Sequence, residues 1–445
     1  MFSVYIDKIS GFIWNNLLLF LLVGTGILFS FRTGFVQIRK FGSAFSDLFR
    51  GFSLNGKKAD RHGISSFQAL ATSVAAQVGT GNIIGCATAL YGGGPGAIFW
   101  MWLSAFFGMA TIYGEAVLSQ VFKTYDGSGH ITGGPIYYIR GVFKKSGGKF
   151  LSVFFAVAII FALGFAGNMV QANSITDSFF TAFGVPKLVT GIVIAILAGV
   201  IFLGGVKTLA SVTEKIVPLM AVIYVAGCLI ILILRIESIP SAFRSIFVGA
   251  FNPSAVLGGA AGIGIREAMR FGVARGLFSN EAGMGSTPHA HALAKVKNPG
   301  DQGKVAMMGV FFDTFVVLTL TALVIITSGK LMPGVDGALE GSALAQAAFS
   351  ETFGSFGSVF IAICMLFFAF STILGWYFFG EVNFKALFGN RFVKIYSFLV
   401  IICIVVGSVL KITLVWSLSD LFNGLMVFPN LIALVALSSL VGKYR

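Results

Sequence analysis

A chain of 445 residues that is 56% hydrophobic and only 11% charged is no ordinary soluble domain, whose charged share is roughly 25%. Repeated apolar runs of about 20 residues make it an all-α polytopic membrane protein. The net charge of +14 does not point to nucleic acid, because the lysines and arginines are scattered in short loops between the runs rather than gathered on one face.

In chain order the hydropathy pattern predicts eleven spans, roughly 12–31, 66–91, 95–122, 150–182, 188–206, 212–235, 262–293 (interrupted), 303–329, 354–384, 392–410 and 415–441. The first run is too long for a signal-peptide core, Asp7 and Lys8 before it cancel, and no A-x-A site follows, so it reads as a membrane helix. If the loop after it is cytoplasmic, 22 of the 31 lysines and arginines fall inside, six fall outside, and Arg266, Arg270 and Arg275 lie in the interrupted span. The positive-inside bias then sets the amino terminus outside and the carboxyl terminus in the cytoplasm. Cys86, Cys228, Cys364 and Cys403 all sit in apolar runs without metal-ligand or CxxC spacing, and are expected to be buried small hydrophobes.

The second span carries the central signal. Within Ala71–Gly85 lie Gln77, Gly79, Thr80, Gly81 and Asn82, residues that weaken a helix and bring polar groups to membrane depth. Backbone in hydrocarbon must be satisfied, so a broken helix survives only against protein or a watery cavity. Such breaks form sites for small polar solutes and cations. Gly81 and Gly85 also make GxxxG, a packing motif, but packing does not account for Gln77, Thr80 and Asn82. The G-x-G-x-x-x-G spacing, with no strand before it, is not a dinucleotide loop. The amides opening the outer half, Gly79 to Asn82, favour a carboxylate, and the Ala75 and Val78 carbonyls suit Na⁺. Ser371 and Thr372, adjacent hydroxyls in the ninth span, are candidates to complete the cation site, although they could instead bond back to their own helix.

A second break is expected at Phe278–Ser286, with 246–261 a partly inserted outer segment; a plain hydropathy window would instead choose 246–265 as the span. The parity of spans then gives an inverted repeat of five plus five helices, with an extra helix and cytoplasmic loop at 1–65, the first repeat at 66–245 and the second at 246–445. Asn168 and Gln171 share a face of the fourth span, either as interhelical glue or as substrate ligands. Trp376 lies one turn after Thr372 and either packs or caps a small pocket. Of the intramembrane acids, Glu115 and Asp313 are expected to be structural. Glu281 meets Arg275 or a cation, or holds the break. His289 and His291 are expected to pack at the interface. No nucleophile–His–acid set shares a setting, so the chain is not expected to be an enzyme.

Two strings carry a family likeness. Ala76-Gln-Val-Gly-Thr-Gly-Asn-Ile-Ile-Gly85 and Gly276-Leu-Phe-Ser-Asn-Glu-Ala-Gly-Met-Gly-Ser-Thr-Pro-His-Ala-His-Ala292 resemble the alanine or glycine:cation symporter family, and the likeness spans essentially the whole chain. It implies a leucine-transporter-like fold with one added amino-terminal helix, and Na⁺-coupled uptake of alanine, glycine and D-alanine by alternating access. By that resemblance the substrate carboxylate meets Gly79, Thr80 and Gly81. The ammonium and methyl lie among Phe165, Gln171, Phe278, Ser279, Asn280 and Trp376. Na⁺ is held by the carbonyls of Ala75, Val78 and Phe368 with Ser371 and Thr372. Thr287 departs from the smaller residue frequent there. Na⁺ is expected as coupling ion without other cofactor, in a monomer in the plasma membrane with lipid around it and no nucleic acid. The alternatives are an H⁺-coupled symporter and, less well matched by short isolated polar breaks, an ion channel.

Overall fold

The computed structural model describes residues 2–50, 63–127, 129–143, 146–257 and 263–445. Among these, seven helices are long and apolar enough to cross a membrane: Gly96–Val121, Ser146–Phe183, Gly205–Leu234, Pro299–Thr327, Ser355–Phe388, Asn390–Val409 and Ile412–Tyr444. Leu19–Arg32 and Lys187–Leu203 are shorter apolar helices. The only described strands are the two-residue pair Thr124–Tyr125 and Ile131–Thr132. Large apolar side chains such as Ile196, Leu197, Val200 and Leu203 stay exposed along whole helix faces. Such faces are apolar enough to lie outside water.

Two helices are interrupted in mid-course. Ser66–Gln77 starts with a capping box, Ser65 and Gln68 each closing the other's backbone amide, which is the Ser-x-x-Gln signature. It ends at Val78, whose ψ of 88° leaves the helical region. Helix resumes at once through a π-helical turn, Gly81–Gly85, and Cys86–Gly93. The break is therefore narrower than the sequence suggests: Thr80 to Asn82 are already helical. The second interruption follows Ile265–Asn280 and precedes Pro288–Ala292, so Phe278, Ser279 and Asn280 occupy the last helical turn rather than the break itself. Glu281, Gly283 and Gly285 all have positive φ there, which explains the glycines directly. The segment before it holds the helices Ile239–Phe251 and Pro253–Leu257. The expected boundary at 245/246 thus falls inside a helix, and 258–262 lie outside the described residues.

The two ends of the bundle sort the loops. At one end Ile64 and Lys295 exchange backbone bonds with Leu293 and Ile64 (both 3.0 Å), Lys123 reaches the Ala294 carbonyl, and Tyr113 donates to Tyr444 O at 2.6 Å. At the other, Gly334 N meets Tyr91 O, Arg235 donates to Thr327 O, and Lys330 pairs with Glu351. Cys86, Cys228 and Cys364 are buried and unpaired as expected; Cys403 is only partly so.

Candidate functional site

The first break has its polar groups closed by neutral side chains. The Gly79 amide donates to Asn82 Oδ1 at 3.0 Å, and the Thr80 amide to Gln171 Oε1 at 3.3 Å. On the carbonyl side, Thr372 Oγ1 lies 2.9 Å from Ala75 O and 3.0 Å from Phe368 O. Ser371 Oγ lies 3.2 and 2.8 Å from the same two carbonyls. Four uncharged oxygens thus converge in a buried spot between the first broken helix and Ser355–Phe388. Neither hydroxyl donates to the Val78 carbonyl. A Cβ on Gly79 would stand 2.3 Å from Thr372 Oγ1 and 3.3 Å from Gln171 Oε1, so the glycine is required by close approach.

The second break is closed by carboxylates. Glu115, fully buried in Gly96–Val121, accepts the Gly283 and Gly285 amides at 3.0 and 2.9 Å and the Asn430 amide at 2.7 Å. Successive backbone amides in such a turn form an anion nest, here filled by the protein's own acid. Asn430 also grips Gly283 O at 2.9 Å and accepts from Tyr138. Glu281 accepts from Ser286 and, at 2.5 Å, from the Trp376 indole. It does not meet Arg275, which pairs instead with Asp420. His289 and His291 are buried. His289 touches Ser286 O and Asn383, and His291 touches Gln302.

The breaks are tied to each other. Gln77 Nε2 donates to Asn280 O at 2.7 Å. Asp313 accepts from Asn82 Nδ2 at 2.7 Å, Ser279 Oγ at 2.9 Å and Thr314 Oγ1 at 2.9 Å. Thr314 in turn accepts from Asn280, and Gly81 lies close enough to Ser279 that a Cβ would come 2.8 Å from its Cα. Phe278 packs edge-on against Trp376 at 5.8 Å, and Gly167 leaves room for the Trp376 ring. Gly79, Thr80, Gly81, Asn82, Gln171, Phe278, Ser279, Asn280 and Trp376 therefore form one neighbourhood. Phe165 stands apart from it, partly exposed and packed on Phe161 and Tyr396. It lies in the π-helical stretch Ile160–Gly167, which shifts the register by which its face is read from Gln171. Asn168 bonds back to Gly164 O.

Residues 1–444 match the sodium:alanine symporter family. The chain belongs to that family. It is 44% identical over 442 residues to the sodium/alanine symporter AgcS of Methanococcus maripaludis, covering 99% of this chain and 96% of that one. It is 40% identical over 431 residues to the probable sodium/glutamine symporter GlnT of Bacillus subtilis, covering 96% and 87%. Among solved structures, MhsT in complex with L-phenylalanine is similar with a TM-score of 0.57 at 14% identity, over 87% of this chain and 98% of that chain. That likeness shows the transporter fold alone. As a family member the chain is a multi-pass membrane symporter and not an enzyme.

Sequence reasoning missed the reach of two residues. Asp313 was expected to be structural, and it is, but its bridging of both broken helices was not foreseen. Its signal was available: a lone acid in an apolar span needs polar partners, and the two breaks hold the nearest ones. Asn430 sits one residue after Pro429 inside Ile412–Val441. An amide buried beside a helix proline was a readable sign of a polar contact there.

Proposed function

We propose that this symporter couples inward movement of Na⁺ to uptake of a small neutral amino acid, alanine or glycine, with D-alanine within reach of the same pocket. One observation carries the reading: the Ala75, Phe368, Ser371 and Thr372 oxygens meet directly beside the Gly79 and Thr80 amides. A cation at the first group and a carboxylate at the second would each stabilise the same two-residue gap, which links their binding. Val78 is assigned to the cation through its carbonyl at that gap. The amides are held by Asn82 and Gln171, whose neutral oxygens occupy the positions a carboxylate would take. Thr80 Oγ1 and Asn168 Oδ1 are buried without a protein partner, leaving polar capacity for substrate. Phe278 and Trp376 bound the side-chain end, favouring a methyl group or hydrogen over the longer chain that GlnT's name implies for that protein.

The seven long helices, the two shorter apolar ones and the two broken ones support a reading of eleven spans. The breaks fall in the first helix of each five-helix repeat (66–245 and 246–445, after the extra segment 1–65). The sorting of basic loops to one end supports that end as cytoplasmic, with the amino terminus outside in the plasma membrane. A monomer is proposed as the unit of transport.

Uptake of labelled alanine into proteoliposomes tests this. A Na⁺ gradient should drive accumulation that a K⁺ gradient does not. Equal uptake in K⁺, or uptake abolished by a protonophore and indifferent to Na⁺, would favour H⁺ coupling instead.

A further inference from the structure

We propose that Glu281 is a positioning residue for substrate selection: it fixes the Trp376 indole in the orientation that limits the side chain of the transported amino acid. The proposal rests on the reading above, in which Phe278 and Trp376 bound the side-chain end of the pocket.

Glu281 stands where the backbone asks for another residue type. It ends Ile265–Asn280 with a φ of 57°, and its amide closes the helix on Leu277 O at 2.9 Å. A left-handed residue at such a helix end is usually glycine or asparagine. The next two left-handed positions of this turn, Gly283 and Gly285, follow that rule. Glycine at 281 would cap the helix with less strain, so the backbone gives no reason for a glutamate. Nor does the glutamate side chain close the break. The Gly283 and Gly285 amides go to Glu115, and the Ala282 amide goes to Asn280 Oδ1 at 3.1 Å. Glu281 is nonetheless fully buried, where a carboxylate is costly unless bonded. Its two oxygens accept from two side chains, the Ser286 hydroxyl and, at 2.5 Å, the Trp376 indole N–H. Holding those two groups is what glutamate does here and glycine cannot.

Trp376 needs such a partner. An indole N–H is a donor only, and a buried one requires an acceptor. The other neighbours of the ring are apolar: Phe278 stands edge-on at 5.8 Å, and a Cβ at Gly167 would come within 2.6 Å of the ring. Packing of that kind is non-directional, whereas a hydrogen bond is directional and stronger toward a carboxylate. Glu281 and Trp376 also belong to different elements, the second broken helix and Ser355–Phe388. Their bond joins the helix that carries Phe278 to the one that carries Ser371 and Thr372, across the space left for a substrate side chain. Without the anchor the ring turns more freely. A longer side chain is then admitted while the cation and carboxylate contacts at the first break are untouched.

Na⁺-driven uptake of labelled alanine into proteoliposomes, competed by α-aminobutyrate and norvaline, tests the anchor. Glu281→Ala is expected to make these longer amino acids compete about threefold better, the scale of one hydrogen bond, with the KM for alanine kept. Glu281→Met, which fills the same space without a strong acceptor, should do the same and serves where Glu281→Ala yields no folded protein. Glu281→Gln keeps an acceptor for the indole and a donor for Ser286, and should select as the wild type does. Trp376→Phe has no N–H to hold, so adding Glu281→Ala or Glu281→Met to it should change selectivity no further. Unchanged competition in Glu281→Met, an effect of equal size in the Trp376→Phe background, or a Glu281→Gln variant that selects like Glu281→Met overturns the anchor. Each leaves the transport reading standing. A wild type that takes up no alanine with Na⁺ overturns that reading instead.

Discussion

The two interrupted helices solve the same problem in opposite ways. Each frees backbone groups at membrane depth, where every one needs a partner. The first break spans Val78 and Gly79 without any positive φ, and its partners are the neutral side chains of Asn82, Gln171, Ser371 and Thr372. The second is longer, takes positive φ at Glu281, Gly283 and Gly285, and its amides are held by the buried Glu115. A neutral partner is exchanged for a ligand at small cost, whereas a buried carboxylate bonded to backbone amides is not readily displaced. The difference is what the proposed function needs: exchangeable neutral partners at the first break and a fixed scaffold behind the second. That need also fits an acidic side chain at the anion nest of one break and none at the other.

Substitutions can break this contrast. The largest effect is expected for Glu115→Ala, which strands the Gly283, Gly285 and Asn430 donors. At about 1–3 kcal/mol for each stranded group the loss is several kcal/mol, read as a collapse of monodisperse yield and of Tm. Gln171→Ala should leave both near the wild type. Gly79→Ala comes next: its Cβ would overlap Thr372 Oγ1, so Na⁺-driven alanine uptake should vanish while the protein still purifies as a folded species. Thr372→Ala removes one of four converging oxygens and should raise the Na⁺ concentration for half-maximal uptake by about tenfold, measured by Na⁺ titration of uptake. The smallest effect is expected for Trp376→Ala, which should let larger neutral amino acids compete with labelled alanine several-fold better. Unchanged competition would remove Trp376 from the pocket wall.

Much of this was legible in the sequence because membrane chemistry is strict. Polar and glycine residues inside an apolar run announce a break, and both breaks were found on that ground, as was the pairing of Ser371 and Thr372 with Ala75. The width of each break was not legible. Helix resumes at Thr80 because Asn82 caps the Gly79 amide, and Phe278 to Asn280 remain helical because αL begins only at Glu281. Neither fact follows from composition. The face that Phe165 shares was not legible for a related reason, since π-helical stretches change which residues share a face. The partners of the buried acids depend on tertiary contacts as distant as Glu115 with Asn430, which no local pattern encodes.

The central claim is that cation and carboxylate meet at one gap and strengthen each other. Its most direct test is the alanine Kd of the purified chain, measured by calorimetry as K⁺ is replaced by Na⁺ at constant ionic strength. The account predicts that alanine binds about tenfold or more tightly in Na⁺, with Na⁺ affinity raised by the same factor when alanine is present. It also predicts that Thr372→Ala shrinks this coupling. Equal alanine affinity in K⁺ and Na⁺ would contradict it.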